Sequence, residues 1–179
     1  MKITISGIVG SGKSTIAHRV ADELGLEYLS IGAIQRKMAE EKGVSFDEFS
    51  NYAKIDKSID LELDRRQREM NGRDSDFVMD SRLGFYFIPD SYKIYLKVDF
   101  DEAARRILGA NRKDQKYDTF GEALRGSLER VDSENVRYKN AYNIDMTDES
   151  QFDKVIDTTH KTIKEVVEEV LESIPDKSC

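Results

Sequence analysis

Short apolar runs alternate along the chain with longer stretches in which apolar residues return every three or four positions. The runs predict strands at Ile3–Ser6, Glu27–Ser30, Phe77–Asp80, Lys93–Val98 and Lys154–Asp157. Helical spacing covers Lys13–Leu24, Ile55–Met70, Phe100–Leu108, Phe120 to about Lys139, and Ile163–Ile174. Strand and helix alternate, which predicts an α/β fold with a parallel sheet. Arg36 is expected to open a helix after the second strand, and His160 to begin the last helix. Pro89 and Pro175 fall outside every helical pattern and act as punctuation.

At 179 residues the chain suits one domain able to bury a core without disulfides or a structural metal. Cys179, the last residue, is its only cysteine, and with two histidines, His18 and His160, a zinc site is not expected. The formal net charge of −7 comes with no basic tract, so neither nucleic acid nor a membrane surface is an expected partner. No apolar run is long enough to span a membrane and no leader precedes the first strand, so a cytoplasmic monomer is expected.

The first strand runs into Gly7-Ile8-Val9-Gly10-Ser11-Gly12-Lys13-Ser14, which fits G-x-x-x-x-G-K-[ST] at each fixed position. Glycines let the backbone N–H groups turn inward around phosphate oxygens at the positive end of the following helix. Lys13 then reaches the terminal phosphates, and Ser14 can join the shell of Mg²⁺. The order strand, loop, helix predicts a P-loop NTPase fold that binds a nucleotide's phosphates through Gly7 to Thr15, the ATP site of the reading below.

The loop does not specify what receives a phosphate, so the reaction must be read from other residues. Arginines concentrate at Arg65, Arg66 and Arg68, at Arg82, and at Arg125, Arg130 and Arg137. Parallel sheets bind ligands beyond the carboxyl ends of their strands, where Arg36 and Arg82 can grip a second phosphate with paired hydrogen bonds. Pairing with the abundant surface acids is the other reading. Asp80 ends an apolar strand, where it can support Mg²⁺ or cap a helix. Arg130, Glu134 and Arg137 share one helix face, which on spacing alone describes a salt-bridged solvent face. The polar stretch Gly109–Asp118 is either a mobile loop over the site or a solvated connector.

Taken together, GIVGSGKST, Ser30–Arg36 (SIGAIQR), Ile59-Asp60, Asp64–Gln67 (DRRQ), Asp80–Leu83 (DSRL), Glu129-Arg130 to Arg137-Tyr138, and Val155–Thr159 (VIDTT) resemble the cytidylate kinases, above all their short archaeal branch. The resemblance spans nearly the whole chain. It implies a five-stranded parallel core, acceptor-binding helices over about 32–72 and a lid over about 109–120. The activity implied is transfer of the γ-phosphoryl of ATP to CMP or dCMP with Mg²⁺. By the same resemblance Arg82, Arg130 and Arg137 act on the transferring group; the mechanism expected adds Lys13 on the donor phosphates, Ser14 and Asp80 at the metal, and Arg112 closing over ATP. Arg36, Asp60, Arg65, Gln67, Arg82, Glu134 and Arg137 then line the acceptor site, and Asp157–Thr159 lie beside the donor base or cap the last helix. The chain departs from the family pattern at Ser81, where glycine is frequent, and in the lysine-rich character of 109–118.

Two alternatives stay open on the residues alone. One is a kinase of another acceptor, of the UMP, AMP or shikimate type. The other is a nucleotide-dependent switch, for which Asn111-Arg112-Lys113-Asp114 does not supply the guanine-reading N-K-x-D motif.

Overall fold

Strand β1 (Lys2–Gly7) places Ile3 and Ile5 on one face and Thr4 and Ser6 on the other, and all four are buried. Both faces of the sheet are therefore covered, as a parallel sheet requires. The polar pair is satisfied internally: the Thr4 and Ser91 hydroxyls bond each other at 2.9 Å, and Ser6 donates to the Ser81 carbonyl at 2.9 Å. This is a computed structural model, which describes residues 1–110 and 117–175.

The five expected strands form, as β1, β2 (Glu27–Ser30), β3 (Phe77–Asp80), β4 (Tyr92–Lys97) and β5 (Lys154–Asp157). They lie in the order β2-β3-β1-β4-β5, all parallel. Register brings Ile5 opposite Asp80 and Ser30 opposite Asp80, so the carboxyl ends of β1, β2 and β3 meet at one point. On one face α1 (Lys13–Leu24) and α8 (Ile163–Ser173) bury Ile16, Val20, Val166 and Val170 against Ile3, Ile5, Val78 and Leu96. On the other, Phe77 and Met79 meet Phe49, Ile59 and Leu63, supplied by α3 (Phe46–Ile55) and α4 (Lys57–Asn71). Between them in sequence lie α2 (Ile31–Glu41), before α3, and the short α5 (Gly84–Phe87), after β3. α6 (Phe100–Gly109) and α7 (Phe120–Tyr142) pack beside the loop that follows β1. Among the described residues no helix is long and apolar enough to cross a membrane.

Several boundaries differ from the pattern reading. The helix expected over Ile55–Met70 is α4, starting two residues later and ending one later, and a separate helix, α3, precedes it; Asp56 (φ −96°, ψ 98°) both closes α3, donating to the Tyr52 carbonyl at 2.7 Å, and caps α4, accepting from Ser58 N–H at 2.9 Å. Arg36 does not open a helix: α2 starts five residues earlier, capped by the Ser30 hydroxyl, which accepts from Ala33 N–H. α7 runs to Tyr142 and stops where Asn143 takes a left-handed φ of 58°. His160 lies in a turn before α8, whose cap is Thr162 in a reciprocal box with Glu165.

Candidate active site

The Gly7–Ser14 loop is shaped by contacts as well as by conformation. Gly10 has φ +82°, and a Cβ there would lie 2.8 Å from the backbone of Ala103 on α6. At Gly7 a Cβ would meet the Leu96 carbonyl at 2.5 Å. The loop's apolar members, Ile8 and Val9, are buried. From outside, Arg106 of α6 donates to the Thr158 carbonyl (2.6 Å) and to its hydroxyl (3.0 Å), and that hydroxyl reaches the Ser11 carbonyl at 3.3 Å. The end of β5 is thereby tied to the back of the loop.

Lys13 opens α1 and faces a cavity of about 560 Å³. Removal from water, and secondarily the Arg82 guanidinium, lower its ammonium pKa from 10.5 to about 7, against the opposing pull of Asp80. Ser14 donates to Asp80 Oδ2 at 2.5 Å, and Tyr28 and Ser30 hydroxyls approach the same oxygen at 3.4 Å. A hydroxyl and one carboxylate at the mouth of a phosphate loop fit Mg²⁺, a hard cation held partly by phosphates and water. Among the described residues no cluster of three or more His, Cys, Asp or Glu offers a site built from protein alone. Asp80 therefore accepts from hydroxyls of α1 and β2, and the cap position of the next helix is Leu83.

Beyond Lys13 the cavity floor is cationic. Arg82 pairs with Glu134 and donates to the Gly7 carbonyl at 3.0 Å, and Arg130 pairs with the other Glu134 oxygen at 3.0 Å. Burial alone would push the Glu134 carboxyl up, yet Arg82 and Arg130 hold it below the usual carboxylate range. One turn further, Arg137 faces Asp60 at 3.6 Å and donates to the Tyr138 hydroxyl at 3.2 Å. Arg82 and Arg130 thus share Glu134 while Arg137 pairs with Asp60, and with Lys13 they set four cationic donors along one part of the cavity, a group suited to oxyanions. The Arg130–Glu134–Arg137 face is turned into the cavity rather than to solvent.

The cavity's far half is built by α3, α4 and the end of α7. Phe49 and Leu63 give it an apolar wall, while Asp64, Gln67, Tyr138 and Tyr142 line it with polar atoms. Tyr142 donates to Asp64 Oδ2 at 2.7 Å, and Ser81 donates to Gln67 Oε1 at 2.6 Å.

The cavity brings together Val9, Gly10, Gly12, Lys13, Ser14, Thr15, Arg36, Asp60, Gln67, Asp80, Arg82, Arg130, Glu134 and Arg137. Gly7, Ile8 and Ser11 support the loop from behind. Arg65 is not brought to the site: it is exposed and paired with Glu62 and Glu69 along its own helix. Arg112, with the other residues of 111–116 in the expected lid, lies outside the described residues, as does Cys179. Asp157 is exposed and folds back on Thr159, accepting from its N–H at 2.9 Å. Sequence reasoning had Asp64 only as part of the DRRQ motif, and missed Tyr142, Arg106 and all of α3. The last carried a legible signal, the S-x-x-E spacing of Ser45 and Glu48 that forms a reciprocal cap.

A family model described as the cytidylate kinase-like family matches residues 2–160. The chain belongs to that family. Its relatives include a cytidylate kinase from Methanosarcina acetivorans, 39% identical over 161 residues, 88% of this chain and 87% of that one. The cytidylate kinase of Methanopyrus kandleri is 41% identical, over 88% of this chain and 84% of its own. An S-adenosylmethionine-dependent nucleotide dehydratase from Lacinutrix mariniflava is 36% identical over 96% of this chain, which corresponds to only 35% of that longer protein. Among solved structures, shikimate kinase from Aquifex aeolicus aligns over 97% of this chain and 95% of its own with a TM-score of 0.62 at 16% identity, sharing the P-loop kinase fold. Members of the cytidylate kinase-like family are phosphotransferases, and the expected enzyme class and fold stand on these matches.

Proposed function

We propose that this chain phosphorylates CMP or dCMP at the expense of ATP. One observation carries the reading: a phosphate loop and a second, polar-lined half open into a single cavity whose shared floor is Lys13, Arg82, Arg130 and Arg137. Phosphoryl transfer through a loose transition state needs alignment and charge neutralisation rather than covalent chemistry, and this floor is placed between donor and acceptor halves.

Loop N–H groups and Lys13 hold the donor phosphates. Ser14 and Asp80 would hold Mg²⁺, which when bound neutralises charge on the donor phosphates. Arg82, anchored through Glu134 and the Gly7 carbonyl, and the exposed Arg36 hold the acceptor monophosphate from two sides. Arg130 and Arg137 approach the transferring group from α7, and Glu134 keeps both Arg82 and Arg130 in place. Work on soluble nucleotides agrees with a cytoplasmic protein.

A coupled assay of ADP formation from Mg·ATP, with CMP, dCMP, UMP, AMP, GMP and shikimate offered separately, tests this. Rapid turnover confined to cytidine nucleotides is expected. ADP release at one slow rate regardless of acceptor would overturn the kinase reading in favour of a switch.

A further inference from the structure

Asp64 and Gln67 lie three residues apart on α4, so they project from one face about a turn apart. Both are almost wholly buried, at 6% and 4% exposure, yet both line the cavity. Each is held by a residue from elsewhere in the fold, and each tether fixes which atom is left over. Tyr142 occupies Asp64 Oδ2, and among the described residues Oδ1 has no hydrogen-bond partner. The Ser81 hydroxyl accepts from Leu83 N–H at 3.3 Å and donates to Gln67 Oε1 at 2.6 Å, an arrangement that turns the Gln67 Nε2 donors away from Ser81. The edge thus offers one hydrogen-bond acceptor beside one donor.

The two pyrimidines differ at the complementary atoms. Cytosine carries an amino donor at C4 beside acceptors at N3 and O2. Uracil carries a carbonyl acceptor at C4 beside a donor at N3. Deepening the proposed kinase reading, on which this rests, we infer that Asp64 and Gln67 form the edge that selects cytosine over uracil, with Tyr142 and Ser81 as positioning residues. Asp64 Oδ1 accepts from the C4 amino group, and Gln67 Nε2 donates to N3 or O2. With uracil, two acceptors would face each other in a site that excludes water, and a buried carboxylate would be left unpaired. Burial and the Asp64 hydrogen bond push the Tyr142 phenol well above its ordinary range, so it remains a donor to Asp64 throughout neutral pH.

The test compares CMP and UMP on the full chain, by steady-state kinetics with Mg·ATP and by calorimetric binding of each monophosphate alone. Asp64→Asn is the main variant: Tyr142 would hold the new amide oxygen and turn its NH₂ toward the base, inverting the polarity at C4. The CMP-to-UMP ratio of kcat/KM should fall by about tenfold or more, mostly through KM, since a built hydrogen-bond site discriminates at that level. Tyr142→Phe and Ser81→Ala should lower the same ratio by smaller factors, again mostly through KM. A merely structural role would depress both nucleotides alike and leave the ratio unmoved, which would overturn the inference. So would a wild-type chain that binds UMP as tightly as CMP, a result that needs no variant to fold. If the wild type binds CMP preferentially yet transfers phosphate to neither nucleotide, the base-reading edge stands and the proposed activity falls.

Discussion

Binding of Mg·ATP at pH 8 should draw about 0.9 proton per site from solution. The perturbation is the arrival of phosphate charge at Lys13, whose pKa in the free cleft is about 7 against an ordinary 10.5. One pH unit above that value, roughly one lysine in eleven is charged in the free protein, whereas beside polyphosphate the charged form is restored in nearly all. The sign follows from the depressed value: the cost of charging Lys13 in the free fold is fully present below pH 7 and vanishes as the pH rises toward 10.5. Binding must supply that proton within the same window, so affinity falls by about tenfold per pH unit there. Isothermal calorimetry in Hepes and in tricine, whose ionisation enthalpies differ, reads the proton count directly. Phosphate buffer must be avoided because it would occupy the loop. Lys13→Met should bind more weakly and take up no proton. An uptake near zero at pH 8, or an affinity flat between pH 7 and 9, would refute the assignment of Lys13 as a desolvated, phosphate-charged ammonium.

Three further outcomes are expected. Arg82→Ala should lower kcat by about 10²–10³-fold, the cost typical of removing a preorganised donor to an oxyanion, with the circular dichroism spectrum unchanged; a loss under threefold would remove Arg82 from the reacting centre. Gly10→Ala should lose nucleotide binding and destabilise the fold by about 1–3 kcal/mol in chemical denaturation, because φ +82° and the Ala103 backbone 2.8 Å away both oppose a Cβ. Arg106→Gln should lower thermal stability by about 1–3 kcal/mol and raise KM for ATP, since it leaves the Thr158 carbonyl and the loop behind Gly10 without their tie; an unchanged KM would make the contact purely structural.

The sheet was legible because its strands are short, apolar and bounded, and three of the five have the ends their runs predict. The phosphate loop was legible because its chemistry is contiguous. On the acceptor side α4 was legible nearly whole and α3 was not, since the boundary between them at Asp56 is a side-chain cap rather than a glycine or proline that would mark a second helix before it. Arg65 and Gln67 sit two residues apart in one motif, yet a helix sends them to opposite fates, one to solvent and one into the cavity. Periodicity could have separated them, because Leu63 and Gln67 are one turn apart on the buried face. The roles of Asp64 and Tyr142 had no local signal: they are 78 residues apart and meet only because α7 runs past the cavity to reach α4.

That long helix has a consequence for how the two ligands would feel each other. Arg130 stands near one end of the cavity and Tyr142 at the other, twelve residues along a single α-helix, a span of about 18 Å. Phosphates that draw Arg130 away from Glu134 and a base that engages the Asp64 edge would both act on the same stiff element. Thermodynamic linkage then requires reciprocity: whatever factor a bound donor applies to the affinity for the acceptor, the acceptor returns to the donor. A lever with a ligand at each end makes order of addition irrelevant to the final complex while letting the first arrival set the terms for the second.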